Sequence, residues 1–244
     1  MIIKTLLTGH SRGLGEALAR DLLARGHHLL GLGRSGNAAL THEFPRHFSE
    51  QRLDLAEPGA LQAWLASGQL DDFLADADQA LLINNAGLLQ PVAPLGAQGA
   101  AAIAQALSVN LGAPLILADA FVGATAHCPD RRIVHISSGA ARNPYAGWSV
   151  YGATKAGLDQ HARAVALEQL PGLRIASLAP GVIDTDMQAE VRASDASAFP
   201  QQARFAALKA DGQLTAPAAA ARRLTDHLLS DRFGQSVDGD LRTL

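Results

Sequence analysis

The sequence contains little of what would point to a secreted, disulfide-linked or metal-binding protein. A single cysteine, Cys128, stands among 244 residues, so an internal disulfide bond is impossible, which fits a reducing compartment. The nine histidines are scattered and none lies beside cysteine or acidic residues at ligand spacing. The pattern therefore predicts no metal site.

The net charge is also small, and long apolar runs are rare. The formal net charge is −3, with both signs mixed along the chain, which argues against nucleic acid or a charged membrane surface as a partner. The apolar run in MIIKTLLTG is too short for a signal peptide, and no stretch is expected to reach the roughly 20 apolar residues of a membrane span. We therefore expect a cytoplasmic protein whose residues 1–244 form a single domain.

Short apolar runs alternate with helical patterns along the chain. Strands are predicted at 2–8, 28–33, 52–55, 80–87, 132–138, 174–180 and near 236–237. Helices are predicted over about 14–25, as a pair before residue 80, over about 97–126, around residue 151 and over about 216–229. This order indicates a doubly wound α/β Rossmann fold, a parallel sheet of about seven strands with helices on both faces. The polar segment 184–212 follows the sixth strand and is expected to shape a substrate pocket.

Three glycines follow the first strand in LLTGHSRGLGEAL (6–18). Gly9 permits a tight turn, Gly13 lets a pyrophosphate approach the backbone, and Gly15 lets the next helix lie close to the strand. The start of that helix offers free N–H groups and a positive dipole end to phosphate. An ordinary βα turn could carry the same glycines, but their place after the first strand favours a dinucleotide site.

The residues after the second strand predict which dinucleotide binds. An acidic residue here would bind the adenosine ribose and select NAD, but the strand ends in Gly33 and Arg34. Arg12 lies in the glycine loop, and two guanidinium groups suit a ribose 2′-phosphate; the alternative is that both are solvated surface residues. NADP(H) is the predicted cofactor. Asp54 is placed either to accept from the adenine amino group or to cap a turn.

The stretch SVYGATKAG (149–157) carries the predicted chemistry. Tyr151 and Lys155 are four residues apart in a helical pattern and share one helix face, although an amphipathic helix can present such a pair to water without purpose. A free tyrosine has a pKa of about 10, and a nearby ammonium together with an oxidised nicotinamide is expected to lower it. Ser138 ends the fifth strand, where it could hydrogen-bond a substrate oxygen, and Asn110 lies in the preceding helix.

Taken together, these stretches resemble the short-chain dehydrogenase/reductase family from end to end. The matching stretches are TGHSRGLG (8–15), LDL around Asp54, NNAG (84–87), Asn110 in SVNLG, Ser138, the tyrosine–lysine motif and PGVIDT (180–185). The resemblance implies that Tyr151 is the general acid/base and that Ser138 orients the substrate carbonyl. It also implies that Lys155 binds the nicotinamide ribose and lowers the Tyr151 pKa, while Asn110 supports a proton relay through water.

The same resemblance implies further cofactor contacts and an oligomer. NNAG would flank the adenosine, and the segment 180–185 would position the nicotinamide, with Thr185 at its carboxamide. The remaining implied contacts are Ser11, Leu14, Leu55, Asn85, Ala86, Gly87, Pro180, Gly181 and Ile183. A homodimer or homotetramer through two sheet-covering helices is expected.

Within the family the chain resembles the sepiapterin reductase and benzil reductase branch, whose members reduce ketones, often vicinal dicarbonyls, with NADPH. The stretches 81–96, 137–157 and 179–192 carry this likeness. Asp238 in SVDGD stands in a setting similar to that of a pterin-anchoring aspartate, and Tyr145 and Trp148 suit a flat or aromatic ketone or simply pack.

The expected function is that of an NADPH-dependent carbonyl reductase acting on a small ketone or diketone. One alternative is the same chemistry in reverse, an alcohol dehydrogenase. Another is a dinucleotide-binding regulator without catalysis, against which the complete set of Asn110, Ser138, Tyr151 and Lys155 argues.

Overall fold

The computed structural model describes the whole chain, Met1 to Leu244, and contains one parallel seven-stranded sheet. The strands are β1 (Ile3–Thr8), β2 (His28–Gly33), β3 (Phe48–Arg52), β4 (Gln79–Asn84), β5 (Asp130–Ile136), β6 (Leu173–Ala179) and β7 (Asp238–Asp240). Their order across the sheet is β3-β2-β1-β4-β5-β6-β7. The winding direction reverses between β1 and β4, and in open parallel sheets this switch point marks the ligand crevice at the carboxyl edge.

Helices cover both faces of the sheet. They are α1 (Gly13–Ala24), α2 (Ala38–Glu43), α3 (Pro58–Ala66), α4 (Gln69–Leu74), α5 (Ala100–Leu107), α6 (Ala113–Ala124), α7 (Ser149–Leu167), α8 (Asp186–Ala193), α9 (Gln202–Ala210) and α10 (Pro217–Leu229). One core layer includes buried residues of α1 and α10, and a second includes buried residues of α3, α6 and α7. All six residues of β4 are buried, as expected for a strand covered on both faces. The predicted fold class is confirmed.

Several elements differ from their predicted bounds; the fourth strand, for example, was expected at 80–87 and ends at Asn84. The third strand was expected at 52–55 but is formed by Phe48–Arg52, because an edge strand paired only with β2 carries polar residues on its solvent side. The apolar residues Leu53 and Leu55 follow it and are buried. The last strand begins at Asp238 instead of 236–237.

The long helix predicted over 97–126 is divided. A π-helical turn, Ser108–Gly112, separates α5 from α6, and such bulges are frequent at functional sites. By length and composition alone, the run Ala100–Ala124 could cross a membrane, contrary to the expectation from sequence. In the fold, Leu117 and Phe121 of this run are fully buried in the core. The core helices of globular proteins meet the same criterion, so this is weak evidence for a membrane location.

The segment expected to shape a substrate pocket forms α8 and α9. Its side chains Val191, Phe199 and Phe205 belong to a small buried cluster that also contains Trp148 and Tyr151. This segment therefore packs directly against the beginning of α7.

Candidate active site

The glycine loop between β1 and α1 is shaped by two close backbone approaches. Gly9 has φ +71°, and a Cβ there would lie 3.0 Å from the Ala86 Cα. A Cβ on Gly15 would lie 1.9 Å from the Gly9 carbonyl oxygen, so only glycine lets α1 start this close to the loop. Both predicted roles, the tight turn and the close helix, match this geometry.

The same loop faces the segment after β6. Gly13 has φ +58°, and a Cβ there would lie 3.3 Å from Cγ2 of Thr185. No side chain caps the N-terminus of α1 at Arg12, so the N–H groups of the first turn stay available to an anion. A narrow, N–H-lined cradle closed by Thr185 fits the pyrophosphate of a dinucleotide.

Hydrogen bonds from the start of the β4–α5 loop hold the glycine loop. The Asn85 side-chain amide donates to the carbonyl oxygens of Thr8 at 3.0 Å and Gly9 at 3.1 Å. The backbone N–H groups of Asn85 and Ala86 both donate to the Thr8 hydroxyl at 2.9 Å. Asn85 therefore supports the cradle, and the supporting role of Thr8 was not predicted from sequence.

Other predicted cofactor residues lie in this loop, in the core or directly after β6. Leu14, Leu55 and Ile183 are buried in or beside the core. The Ser11 carbonyl accepts from the Asn37 side chain at 3.3 Å. Pro180 follows β6 directly, and Gly181, with φ +88°, packs against Arg242.

The two arginines predicted to select the cofactor lie at the outer end of the crevice. Arg12 is exposed and forms an ion pair with Asp186 at 3.3 Å, while Arg34 is exposed without an ion-pair partner. We call Arg12, Arg34 and the loops that carry them the arginine corner. Asp54 accepts the backbone N–H of Ala56 at 2.9 Å, so of its two predicted roles it shows the turn cap.

A partly buried network that sequence reasoning missed lies beneath the arginine corner. Glu50 of β3 accepts from the ring Nε2 of His10 at 2.9 Å and from the backbone N–H of Asn37 at 2.8 Å. A Cβ on Gly36 would lie 2.2 Å from Glu50 Oε1. Burial alone would raise the pKa of Glu50, but the hydrogen bonds from Asn37 and His10 outweigh it, so the pKa of Glu50 is lowered. An ionised acid thus fixes the loop after β2 from below, and the only sequence signal was a polar residue in an edge strand.

Tyr151 and Ser138 meet where β5 ends and α7 begins. Tyr151 lies in the first turn of α7 and is buried. Ser138 caps a short 3₁₀ turn by accepting the N–H of Ala140 at 3.1 Å. Burial raises the pKa of Tyr151 above its usual value of 10.0, and the Ser138 hydroxyl acts in the opposite direction.

Lys155 lies on the same helix face, as predicted, and is buried. Its ammonium donates to the Ile136 carbonyl at 2.7 Å and lies 5.7 Å from the Tyr151 ring centroid. Burial lowers the pKa of Lys155 to about 8, with the Asp159 carboxylate opposing. The sequence predicted that Lys155 lowers the Tyr151 pKa. In the structure the shift is upward, because desolvation of the phenol outweighs the opposing Ser138 hydroxyl.

Asn110 lies in the π-helical turn, and its side-chain amide forms hydrogen bonds with both the N–H and the carbonyl of Leu88. Its Oδ1 accepts the Leu88 N–H at 2.7 Å, and its Nδ2 donates to the Leu88 carbonyl at 2.8 Å. A Cβ on Gly87 would lie 3.5 Å from Asn110 Oδ1 and 3.6 Å from Lys155 Nζ. The two side chains therefore meet around Gly87. We call Asn110, Ser138, Tyr151 and Lys155 the tyrosine cluster.

Aromatic side chains border the tyrosine cluster. The Trp148 ring meets Tyr151 edge-on at 5.5 Å and stacks on Phe199 at 4.4 Å, with an interplanar angle of 16°. Tyr145 lies 5.3 Å from Trp148. Trp148 and Tyr145 thus lie at the predicted approach to Tyr151, and Phe199 from the α8–α9 segment is an addition that the sequence alone did not indicate.

Asp238 is paired within the chain. Its two carboxylate oxygens accept from Arg163 of α7 at 2.9 and 3.0 Å, and Arg142 lies 4.0 Å away. The hydrogen bond to Arg163 lowers the pKa of Asp238. The carboxylate therefore joins β7 to α7 as an ion pair, and its contact with a substrate stays a prediction.

Comparison with known proteins identifies the family of this chain. The family profile described as short chain dehydrogenase matches residues 4–196. The chain belongs to the short-chain dehydrogenase family. As a member, it is an oxidoreductase of a family that binds nicotinamide dinucleotides.

Two characterised relatives and one solved structure extend over almost the whole chain. Benzil reductase ((S)-benzoin forming) of Bacillus cereus is 34% identical over 94% of this chain and 95% of its own. Sepiapterin reductase of Meriones unguiculatus is 34% identical over 96% of this chain and 94% of its own. A crystal structure of a short-chain dehydrogenase/reductase from Burkholderia vietnamiensis shares 42% identity with a TM-score of 0.73, over 99% and 98% of the two chains. The predicted family membership is confirmed.

Proposed function

We propose that this protein is an NADPH-dependent carbonyl reductase that transfers a hydride to a ketone or 1,2-diketone, with Tyr151 as the general acid. The observation that carries the proposal is the meeting of Ser138, Tyr151 and Lys155 at the carboxyl edge of β5, beside the glycine-loop cradle. The similarity to benzil and sepiapterin reductases supports the class of substrate.

The residues of the crevice fit a nicotinamide dinucleotide. Gly9, Gly13 and the uncapped start of α1 would hold the pyrophosphate, and the arginine corner would hold a 2′-phosphate. When bound, NADPH supplies the hydride that reduces the carbonyl carbon. Lys155, fixed by the Ile136 carbonyl, would donate to the ribose hydroxyls of the nicotinamide half.

Tyr151 is in the protonation state that carbonyl reduction requires. Because burial raises its pKa, Tyr151 holds its proton at neutral pH and is ready to donate it to the oxygen of a ketone. Ser138 lies beside the phenol and would fix that oxygen by a hydrogen bond. Asn110 fixes the backbone at Leu88 next to Lys155, where a water-mediated relay would return the proton to Tyr151. Alcohol oxidation would instead start from the phenolate, which burial disfavours.

NADPH oxidation with a panel of carbonyl compounds tests the proposal. The panel contains benzil, a short aliphatic diketone, a simple aryl ketone and a pterin with a side-chain ketone. We expect turnover of at least one diketone, with NADPH preferred over NADH. Tight NADPH binding without turnover of any compound would favour a non-catalytic dinucleotide-binding protein.

We also propose that the single domain 1–244 acts in the cytoplasm as a homodimer or homotetramer. An apolar groove along α5 and α6 supports the oligomer: it includes Leu107, Leu111, Leu115 and Ile116. Leu107 and Leu167 are exposed hydrophobic side chains, which a second copy of the chain would cover. Sedimentation equilibrium of the purified protein would show a monomer if this is incorrect.

A further inference from the structure

A cavity of about 410 Å³ lies on the side of α10, away from the tyrosine cluster. The lining comes from one face of α10, from the segment after it and from the C-terminal tail. Its lining residues are Ala219, Arg222, Arg223, Asp226, His227, Arg232, Leu241 and Leu244. The volume is in the range of small-molecule sites.

The charge of this cavity is strongly one-sided. Arg222, Arg223 and Arg232 form no ion pair and no side-chain hydrogen bond within the chain. The one acidic side chain in the lining, Asp226, accepts from Arg25 of α1 at 2.6 Å, so its charge is already balanced. Three exposed arginines without an ion-pair partner therefore border one cavity, although the chain as a whole carries a net charge of −3.

A buried histidine gives independent evidence for a ligand. His227 is 8% exposed, and neither of its ring nitrogens has a hydrogen-bond partner. Buried polar atoms in folded proteins are nearly always paired. Burial and the neighbouring Arg232 lower the pKa of His227, so its ring is neutral at pH 7 and offers one N–H donor and one acceptor.

We propose that this cavity binds a small organic phosphate, with Arg222, Arg223 and Arg232 on the phosphate and His227 as an additional hydrogen-bond donor. Guanidinium groups bind phosphate oxygens in a bidentate manner. Ala219, Leu241 and Leu244 give the same cavity an apolar part, which would contact the organic group. The site is separate from the dinucleotide crevice and does not depend on the proposed reductase activity.

Calorimetric titration of the NADPH-saturated protein tests the proposal, because the other phosphate site is then filled. The probes are phenyl phosphate, inorganic phosphate and vesicles of an anionic phospholipid. We expect phenyl phosphate to bind, and to bind more tightly than inorganic phosphate because of the apolar lining. No heat with phenyl phosphate, or binding of the vesicles only, would overturn the proposal.

Matched variants identify the residues. The double change Arg222→Ala and Arg223→Ala is expected to weaken phenyl phosphate about tenfold or more, since each charge-assisted hydrogen bond contributes substantially. Arg232→Ala, on a different segment, should also weaken it. The control Arg46→Ala with Arg204→Ala removes the same charge from exposed positions elsewhere and should change the affinity less than about twofold. Equal weakening by the control would show a general charge effect and would overturn the proposal.

Discussion

The tyrosine cluster and the arginine corner lie at the same edge of the sheet but are held in opposite ways. In the tyrosine cluster, Lys155 and Asn110 are buried and are fixed by the backbone of Ile136 and Leu88. In the arginine corner, Arg12 and Arg34 reach into solvent; Arg12 has only an exposed ion pair with Asp186, and the loop that carries Arg34 is fixed by Glu50. The reacting groups are therefore preorganised by the fold, while we expect the groups proposed to choose the cofactor to become ordered only when it binds.

The largest effect is expected in the preorganised part. Tyr151→Phe removes one hydroxyl and keeps the ring that packs against Trp148. We expect kcat to fall by about 10²–10⁴-fold, the usual contribution of a general acid, with an almost unchanged Kd for NADPH. Steady-state kinetics and fluorescence titration measure the two quantities. Tyr145→Phe is the control, since it removes the only other tyrosine hydroxyl; joint loss of binding and turnover in Tyr151→Phe would mean a structural role.

The glycine-loop cradle, between the tyrosine cluster and the arginine corner, should be nearly as sensitive to substitution. In Gly15→Ala the new Cβ would meet the Gly9 carbonyl oxygen, so the loop must move. We expect a loss of stability of about 1–3 kcal/mol and at least about tenfold weaker NADPH binding, because the N–H groups of the cradle lose their alignment. Gly123→Ala is the control in α6, where a Cβ meets nothing within 4 Å, and it should be neutral or stabilising. An unchanged Kd in Gly15→Ala would contradict this assignment.

A smaller and more selective effect is expected at the exposed arginine. Arg34→Ala should weaken NADPH binding about tenfold, the scale of one charge-assisted contact, and leave NADH within about twofold. Titration with both cofactors measures the ratio. Arg46→Ala is the control, since it removes an exposed arginine from another place. Equal weakening of the two cofactors by Arg34→Ala would remove the argument from the 2′-phosphate.

Glu50→Ala is expected to lower both the stability of the fold and the preference for NADPH. Its effect on cofactor binding should be smaller than that of Arg34→Ala. Glu50→Ala leaves the His10 ring nitrogen and the Asn37 N–H without their acceptor, which costs about 1–3 kcal/mol. The loop that carries Arg34 then loosens, and we expect a few-fold lower preference for NADPH over NADH. Glu50→Gln keeps an acceptor oxygen and should recover most of the stability. If Glu50→Ala lowers the stability without any change in cofactor preference, the network only supports the fold.

The contrast also separates what the sequence could predict from what it could not. The spacing of Tyr151 and Lys155 and the glycines of the loop are local patterns, and the structure places them as local geometry requires. The Glu50–His10 hydrogen bond joins residues 40 apart, and no periodicity in the chain connects them. The ion pair of Asp238 with Arg163 depends on how β7 pairs with β6, which a two-residue motif does not contain. The Tyr151 pKa was predicted from its neighbour, whereas depth of burial, a property of the whole fold, decides its direction.

The last expected effect concerns neither turnover nor cofactor choice, but a pH dependence of stability that arises from Lys155. Its pKa is lowered from 10.5 to about 8 in the folded protein, so between these two values the unfolded chain binds more protons than the folded one. Stability relative to Lys155→Met should therefore rise as the pH increases from 8 to 10.5 and stay constant below pH 8, where both states are protonated. Loss of the hydrogen bond to Ile136 in the variant adds an offset that does not change with pH. Urea unfolding of both proteins across this pH range measures the difference in their free energies of unfolding. If the two stability curves run parallel with pH, Lys155 titrates as it does in the unfolded chain. The tyrosine cluster would then be less desolvated than its burial indicates.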